Sequence, residues 1–283
     1  LSTPPSFFPS LIESLHQHRL LYDPNDSAHF SRVVIEKPFG HDIASAQSLQ
    51  LHIQQYLAES QIYRIDHWLG KESVQNLLAL RFANPLFESV WNNQYIDHVQ
   101  ITAAEDLGLS GTRGATFEEL GILRDIIQNH LMQLLCLVAM EAPSSVHADT
   151  VRGEKVRVLE ALNPISMDNF NDEVCRGQYG PGTIGGTSCR GYREESGVSP
   201  TSAVETFAAL KLSIDNERWH GVPFYLRAGK RLARRTNYYV GASDDDSLNG
   251  ADAQDVPKEV LSPAATRLDS VLTYSGRRSE NIA

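Results

Sequence analysis

Cysteine is scarce in this chain of 283 residues: only Cys136, Cys175 and Cys189 are present. Their odd number and wide spacing give neither a CxxC zinc pattern nor a disulfide framework. A reducing, cytoplasmic compartment without a bound metal is therefore the expectation. Positive charge is also short, with 25 Lys and Arg against 35 Asp and Glu and a net charge of −10. A nucleic acid backbone needs a basic face, so nucleic acid is not the expected partner. A small phosphate ester needs only a few converging cations and stays open. Long apolar runs are missing as well. The greasiest stretch, Leu131 to Met140, falls short of the ~18–20 residues of a membrane span and contains Gln133, so no membrane partner is expected. The opening Leu1-Ser2-Thr3-Pro4-Pro5 has no basic n-region and no apolar h-region, which argues against a signal peptide. It also lacks an initiating Met, as expected of a fragment or a processed chain.

What is present fits a folded α/β protein. Hydrophobic residues make up 41% and charged residues 21%, at a length that suits one large domain or two ordinary ones. Thr3 as cap and the following prolines predict a helix with Phe8, Leu11, Ile12 and Leu15 on one face. Tyr22 to Ala28 reads as a loop. Arg32 to Ile35 reads as a short strand, and Asp42 as the cap of a helix with Ile43, Ala46, Leu49, Ile53 and Leu57 on one face. Gln61 to Ile65 reads as a second strand. Strand, helix and strand in succession make a βαβ unit and a parallel sheet.

Further on, a helix is predicted over 72–82, an alternating strand over 96–103, and one long helix over 116–140. The Gly-, Asn- and Ser-rich stretch 166–200 reads as mostly loop. Val204 to Ile214 and Phe224 to Arg227 read as strands of an antiparallel sheet. From Asn237 the acidic run Asp244-Asp245-Asp246 and the loss of periodicity predict a poorly ordered tail. The expected division is 1–66, 67–236 and 237–283.

Four motifs can carry chemistry, and one formal match cannot. Gly180, Gly182 and Gly185 satisfy GxGxxG, but no strand precedes them and no helix follows, so a surface loop is the reading. Glu36-Lys37-Pro38-Phe39-Gly40 follows a predicted parallel strand, where open α/β sheets bind ligands. It is either a ligand crevice, with Pro38 fixing the turn through a cis bond, or an ordinary turn with a solvated Lys. Arg64 to Glu72 packs a carboxylate, an imidazole and an ammonium behind a strand, which suits an oriented base and an anion grip; a capped helix start is the alternative. His130 shares an apolar helix face with Leu123, Ile127 and Leu134. It is a core histidine or a general base supported by a carboxylate. On an α-helix Asp125 lies about 140° around from it, which leaves Asp66 as the available partner. Phe224 to Arg235 ends in a basic turn, either solvated or an anion cradle.

In this order the segments Thr3-Pro4-Pro5, Val34 to Asp42, Arg64 to Glu72, Arg124 to Gln133 and Trp219 to Arg231 resemble the glucose-6-phosphate dehydrogenase family. The resemblance covers about residues 1 to 236. It implies a partial Rossmann-like parallel sheet followed by an α+β domain with an antiparallel sheet. It also implies oxidation of glucose 6-phosphate to 6-phosphogluconolactone with hydride transfer to NADP or, in some members, NAD, and a homo-oligomer. By the resemblance His130 is the general base and Asp66 its support. His67, Lys71 and Arg235 bind the phosphate. Glu105, Asp125 and Lys230 bind the sugar, and Lys37, beside Pro38, reaches both sugar and cofactor. Trp68 stands where the family usually carries a Tyr whose hydroxyl touches the phosphate; an indole N–H donates with a different reach. The family's first strand and Gly-rich loop are expected ahead of Leu1, so little turnover is expected of this chain alone. The alternatives are a non-catalytic phosphosugar-binding or assembly remnant, and a damaged gene product.

Overall fold

The computed structural model describes residues 1, 3–109, 113–145, 147–233 and 236–242, the last stretch by its backbone. The chain divides into two compact units, Leu1–Lys71 and one that begins at Glu72. The break thus falls a few residues beyond the expected one, and the segment His67 to Lys71 stays with the first unit.

In the first unit a 3-10 turn over Pro5–Phe7 runs into α1 (Phe8–Gln17). Pro4, not Thr3, holds the cap position, and no side chain caps it, because the prolines already fix the entry and remove donors. Phe8 and Ile12 are buried. Strand β1 (Val33–Glu36), helix α2 (Ile43–Gln54) and strand β2 (Ile62–Ile65) form the expected βαβ unit, with β1 and β2 parallel. Asp42 does cap α2. Its Oδ1 accepts the Ser45 N–H at 2.7 Å, and the Ser45 Oγ accepts the Asp42 N–H at 3.0 Å. Leu49, Ile53 and Leu57 enter the core with Phe8, Ile12, Val33, Ile35 and Ile62. Ile43 was expected on that face but is 78% exposed, because it sits in the first turn ahead of the core-facing residues. Only one face of this sheet is buried: Val34, Tyr63 and Ile65 are exposed.

The second unit opens with α3 (Glu72–Phe82), on the predicted residues, and α4 (Pro85–Val90). Strand β3 (His98–Ala104) leads to α5 (Arg113–Ile122), a π-helix (Leu123–Leu131), α6 (Met132–Ala139) and α7 (Ala148–Glu160). Strand β4 (Val174–Gly177), the hairpin β5 (Gly182–Ile184) and β6 (Thr187–Cys189), and strands β7 (Phe207–Ser213), β8 (Pro223–Gly229) and β9 (Thr236–Ala242) complete it. The main sheet has the order β4-β7-β8-β3-β9.

Five expectations are corrected here. The sheet is mixed, since β3 and β8 run parallel. They are far apart in sequence, so no hairpin forces them antiparallel. The long helix is interrupted at Gly121, whose φ of 66° and ψ of 174° are not helical, and it continues as a π-helix. Within the segment read as loop, β4 joins the sheet edge, because Val174 and Cys175 supply strand residues opposite Leu210 and Ala209. Helix α7 was not foreseen. Last, β9 occupies the first residues of the supposed tail: Tyr238, Tyr239 and Val240 are strand formers that pair antiparallel with β3. The rest of that tail, 243–283, lies outside the described residues. The discarded glycine motif is a hairpin turn, with Gly185 and Gly186 both at positive φ, as a two-residue type I′ turn requires.

The π-helix packs against β3 and β8, and the C-terminal end of α6 is clamped. Arg81, wholly buried, donates to the carbonyls of Leu137, Val138 and Met140 at 2.8, 2.9 and 2.8 Å and pairs with Glu88 at 3.1 Å. Burial lowers its pKa to about 10, still well above neutrality, and Glu88 opposes that shift. The Trp91 and Trp219 indoles donate to Val138 and Ala139, each at 2.8 Å. Helix-end carbonyls that would be orphaned in a dry core are thereby satisfied.

Candidate active site

Each unit places reactive side chains immediately beyond the carboxyl ends of two adjacent parallel strands. In the first unit Glu36 and Ile65 are paired as the last residues of β1 and β2. The residues that follow are Lys37-Pro38, joined by a cis peptide bond, and Asp66-His67. Asp66 starts a 3-10 turn over His67–Gly70, and its Oδ1 accepts the Trp68 N–H at 2.9 Å. His67 is exposed, while Lys37 and Lys71 are half-buried. The Lys71 Nζ lies 3.6 Å from the centre of the buried Trp68 ring. The group is rich in cations, as an anion site must be.

In the second unit Ala104 and Gly229 are paired as the last residues of β3 and β8. Glu105 and Lys230 follow them, and the Lys230 Nζ meets the Glu105 Oε2 at 2.6 Å. Asp125 Oδ2, from the π-helix, is 4.0 Å from the same nitrogen, and the Phe117 ring centre is 5.2 Å away. The backbone fixes this corner: Glu105 N–H donates to Gly229 O and Lys230 N–H to Thr206 O, each at 2.9 Å. Arg231 turns the chain at a φ of 55°, and its guanidinium reaches Glu195 at 3.5 Å and Cys189 Sγ at 3.3 Å. Beside them the Tyr179 hydroxyl donates to Glu195 at 3.1 Å, and burial pushes that phenol up to about 12. One ammonium among carboxylates offers both donors and acceptors, which suits the hydroxyls of a neutral polyol.

His130 is 1% exposed and lies on the π-helix that also carries Asp125. The α-helical angle that separated these two residues no longer applies. A π-helix bonds residue i to i+5, so positions 125 and 130 fall one turn apart on neighbouring sites. The register is built by Gly121 and Glu205. Gly121 leaves helical geometry at positive φ, and a Cβ there would run into the Glu205 carboxylate. Glu205 then receives the restarted helix: its backbone carbonyl accepts Ile122 N–H at 3.0 Å and its Oε1 accepts Leu123 N–H at 3.3 Å. Asn129 accepts the His130 backbone N–H at 2.6 Å.

Glu105, Asp125 and Lys230 are therefore brought together, and Lys37, Pro38, Asp66, His67 and Lys71 share one edge of the first unit's sheet. Arg235 lies outside the described residues. Glu205 and the Trp68–Lys71 contact were not anticipated. The sequence signal for the first was Gly121 inside an otherwise helical pattern.

Comparison with known proteins gives a consistent result. Residues 1–76 match the profile of the glucose-6-phosphate dehydrogenase NAD binding domain, and residues 78–240 match that of the glucose-6-phosphate dehydrogenase C-terminal domain. The chain is 55% identical over 237 residues to glucose-6-phosphate 1-dehydrogenase of Chlamydia pneumoniae, covering 83% of this chain and 46% of that one. It is 51% identical over 235 residues to glucose-6-phosphate 1-dehydrogenase 2 of Mycobacterium tuberculosis, covering 83% and 45%. A solved glucose-6-phosphate dehydrogenase in complex with its substrate glucose 6-phosphate aligns with a TM-score of 0.74 at 41% identity, over 84% of this chain and 46% of that one. The Mycobacterium avium glucose-6-phosphate 1-dehydrogenase aligns with a TM-score of 0.71 at 38% identity, over 88% and 51%. The chain thus spans about half the length of the curated relatives it matches.

Proposed function

Because the chain belongs to the glucose-6-phosphate dehydrogenase family, we propose that it serves the oxidation of glucose 6-phosphate to 6-phosphogluconolactone, the oxidoreductase step of the pentose phosphate pathway, with NADP as acceptor. The observation that carries this reading is the Glu105–Lys230–Asp125 cluster, whose Asp125 lies on the same π-helix as the buried His130 imidazole. Glu105 and Asp125 accept hydrogen bonds from sugar hydroxyls, and Lys230 donates to a sugar oxygen. Lys71 and His67 bind the 6-phosphate, with Arg235 as a further cation. His130 removes the proton of the C1 hydroxyl at an imidazole nitrogen, and Asp66 takes the supporting role that the family resemblance implies for it.

The donor set fits a dinucleotide in part. Lys37, after a parallel strand, offers an ammonium where α/β sheets bind nucleotides. The N-terminus of α2 is closed by the Asp42 carboxylate and offers no pyrophosphate seat. Lys37 and Pro38 are thus the residues that would contact the cofactor, which when bound supplies the hydride acceptor. The reaction is assigned to the cytoplasm, and among the described residues no helix is long and apolar enough to cross a membrane. Association of copies, as in the family, is part of the same reading.

The test is turnover and calorimetric binding on the complete enzyme, or on this chain where it turns over, and on the His130→Asn variant of the same protein. Asn keeps size and some hydrogen bonding but cannot act as base, so kcat is expected to fall at least roughly a hundredfold with sugar-phosphate affinity nearly unchanged. Lower thermal stability with normal kcat per folded molecule makes His130 a core residue and overturns its role. Binding without any turnover in the complete, unaltered protein favours the non-catalytic phosphosugar-binding alternative.

A further inference from the structure

We infer that Trp68 is a positioning residue for the phosphate grip, holding the Lys71 ammonium on the face of its indole. The inference rests on the reading of Lys71 as a phosphate-binding side chain. Trp68 is 7% exposed, and the Lys71 Nζ stands 3.6 Å from its ring centre. The local backbone explains the contact. Residues His67–Gly70 form a 3-10 turn, and Lys71 N–H closes it by donating to Trp68 O at 3.1 Å. Three residues per turn eclipse side chains at i and i+3, so Lys71 falls directly over Trp68. The indole itself is held by burial, and Asp66 Oδ1 fixes the backbone beneath it by accepting the Trp68 main-chain N–H at 2.9 Å.

The chemistry of the contact suits an anion. A ring face attracts an ammonium through its quadrupole, and Trp does so best of the aromatic residues. It brings no negative charge to the ammonium, whereas Glu105 places a full carboxylate 2.6 Å from Lys230. A ring steadies an ammonium without adding a negative charge, which suits a phosphate grip; the carboxylate beside Lys230 suits neutral hydroxyls.

A double-mutant cycle on the full chain tests this, with calorimetric titration of glucose 6-phosphate into the unaltered protein, Trp68→Leu, Lys71→Ala and the double variant. Lys71→Ala is expected to weaken binding roughly tenfold and Trp68→Leu roughly threefold. The double variant is expected to bind no worse than Lys71→Ala alone, since the indole acts through the ammonium. Trp68→Phe keeps a ring face and is expected to restore most of the affinity. Additive losses overturn the inference, because the indole then acts by another route. A ligand-free readout separates it from the phosphate reading. The Lys71 ε-methylene protons should be shifted upfield by the indole ring current in NMR, and the shift should vanish in Trp68→Leu. Absence of that shift overturns the inference and leaves Lys71 as a phosphate ligand. A normal shift with unchanged affinity in Lys71→Ala overturns the phosphate reading and this inference with it.

Discussion

The two units use one architectural device to present two different sets of charged side chains. In each, a pair of parallel strands ends side by side, and the next residue of each strand carries a polar head: Lys37 and Asp66 in the first, Glu105 and Lys230 in the second. The first adds His67 and Lys71 from a 3-10 turn and becomes a cationic edge. The second adds Asp125 from a π-helix and becomes an ammonium among carboxylates. Strand ends supply rigid positions, and the turn or helix beyond them sets the charge. The supports differ too. The two-stranded sheet of the first unit buries one face, whereas β3, between β8 and β9, is buried along nearly all its length.

The largest expected effect breaks the support of the second unit. Arg81→Leu takes the buried guanidinium away from Glu88 and from the Leu137 and Met140 carbonyls, and losing one member of a buried pair costs about 3–5 kcal/mol. Denaturant unfolding of the second unit should show that loss, and a loss below about 1 kcal/mol means that Arg218, 2.9 Å from Glu88, already suffices. Next comes the register of the π-helix. Gly121→Ala puts a Cβ at positive φ against Glu205 and should cost about 1–3 kcal/mol. Because the helix restarts there, turnover should fall more than stability predicts, while phosphate binding at the first unit is spared. Equal losses of both would remove Gly121 from the device.

The third prediction sets the two edges against each other. Lys71→Ala should weaken glucose 6-phosphate binding about tenfold and leave unphosphorylated glucose unaffected. Lys230→Ala should weaken both sugars to the same degree. A phosphate-selective loss in Lys230→Ala would merge the two edges into one function. The smallest effect is a pH dependence confined to the second unit. The Tyr179 phenol is raised from 10.0 to about 12, chiefly by burial. The unfolded chain therefore loses this proton first. The stabilisation is full below pH 10 and is lost as pH rises toward 12, so an alkaline melting series should show a drop in that window that Tyr179→Phe reduces.

Much of this was legible in one dimension. Asp42 followed by Ser45 writes a capping box, because a short carboxylate and a hydroxyl three residues on satisfy two orphan N–H groups wherever they occur. The βαβ order, the 72–82 helix and the β7–β8 pair follow from periodicities of 3.6 and 2, which depend only on neighbours along the chain. The runs around Lys37, Asp66 and His130 marked the candidate residues. Other features depend on partners distant in sequence. The parallel pairing of β3 and β8 joins residues such as Ala104 and Gly229, and it alone brings Glu105 to Lys230. β9 is a strand because β3 offers it an edge, although its own sequence runs into polar text. The π winding needs Glu205 to receive N–H groups freed at Gly121, a capping interaction no local pattern encodes. The sequence by itself therefore determined which side chains are chemically able and which short elements carry them, since those are properties of residues and near neighbours. Only the tertiary structure decided that Lys230 meets Glu105 and Asp125, because that meeting is made by strand register and helix winding.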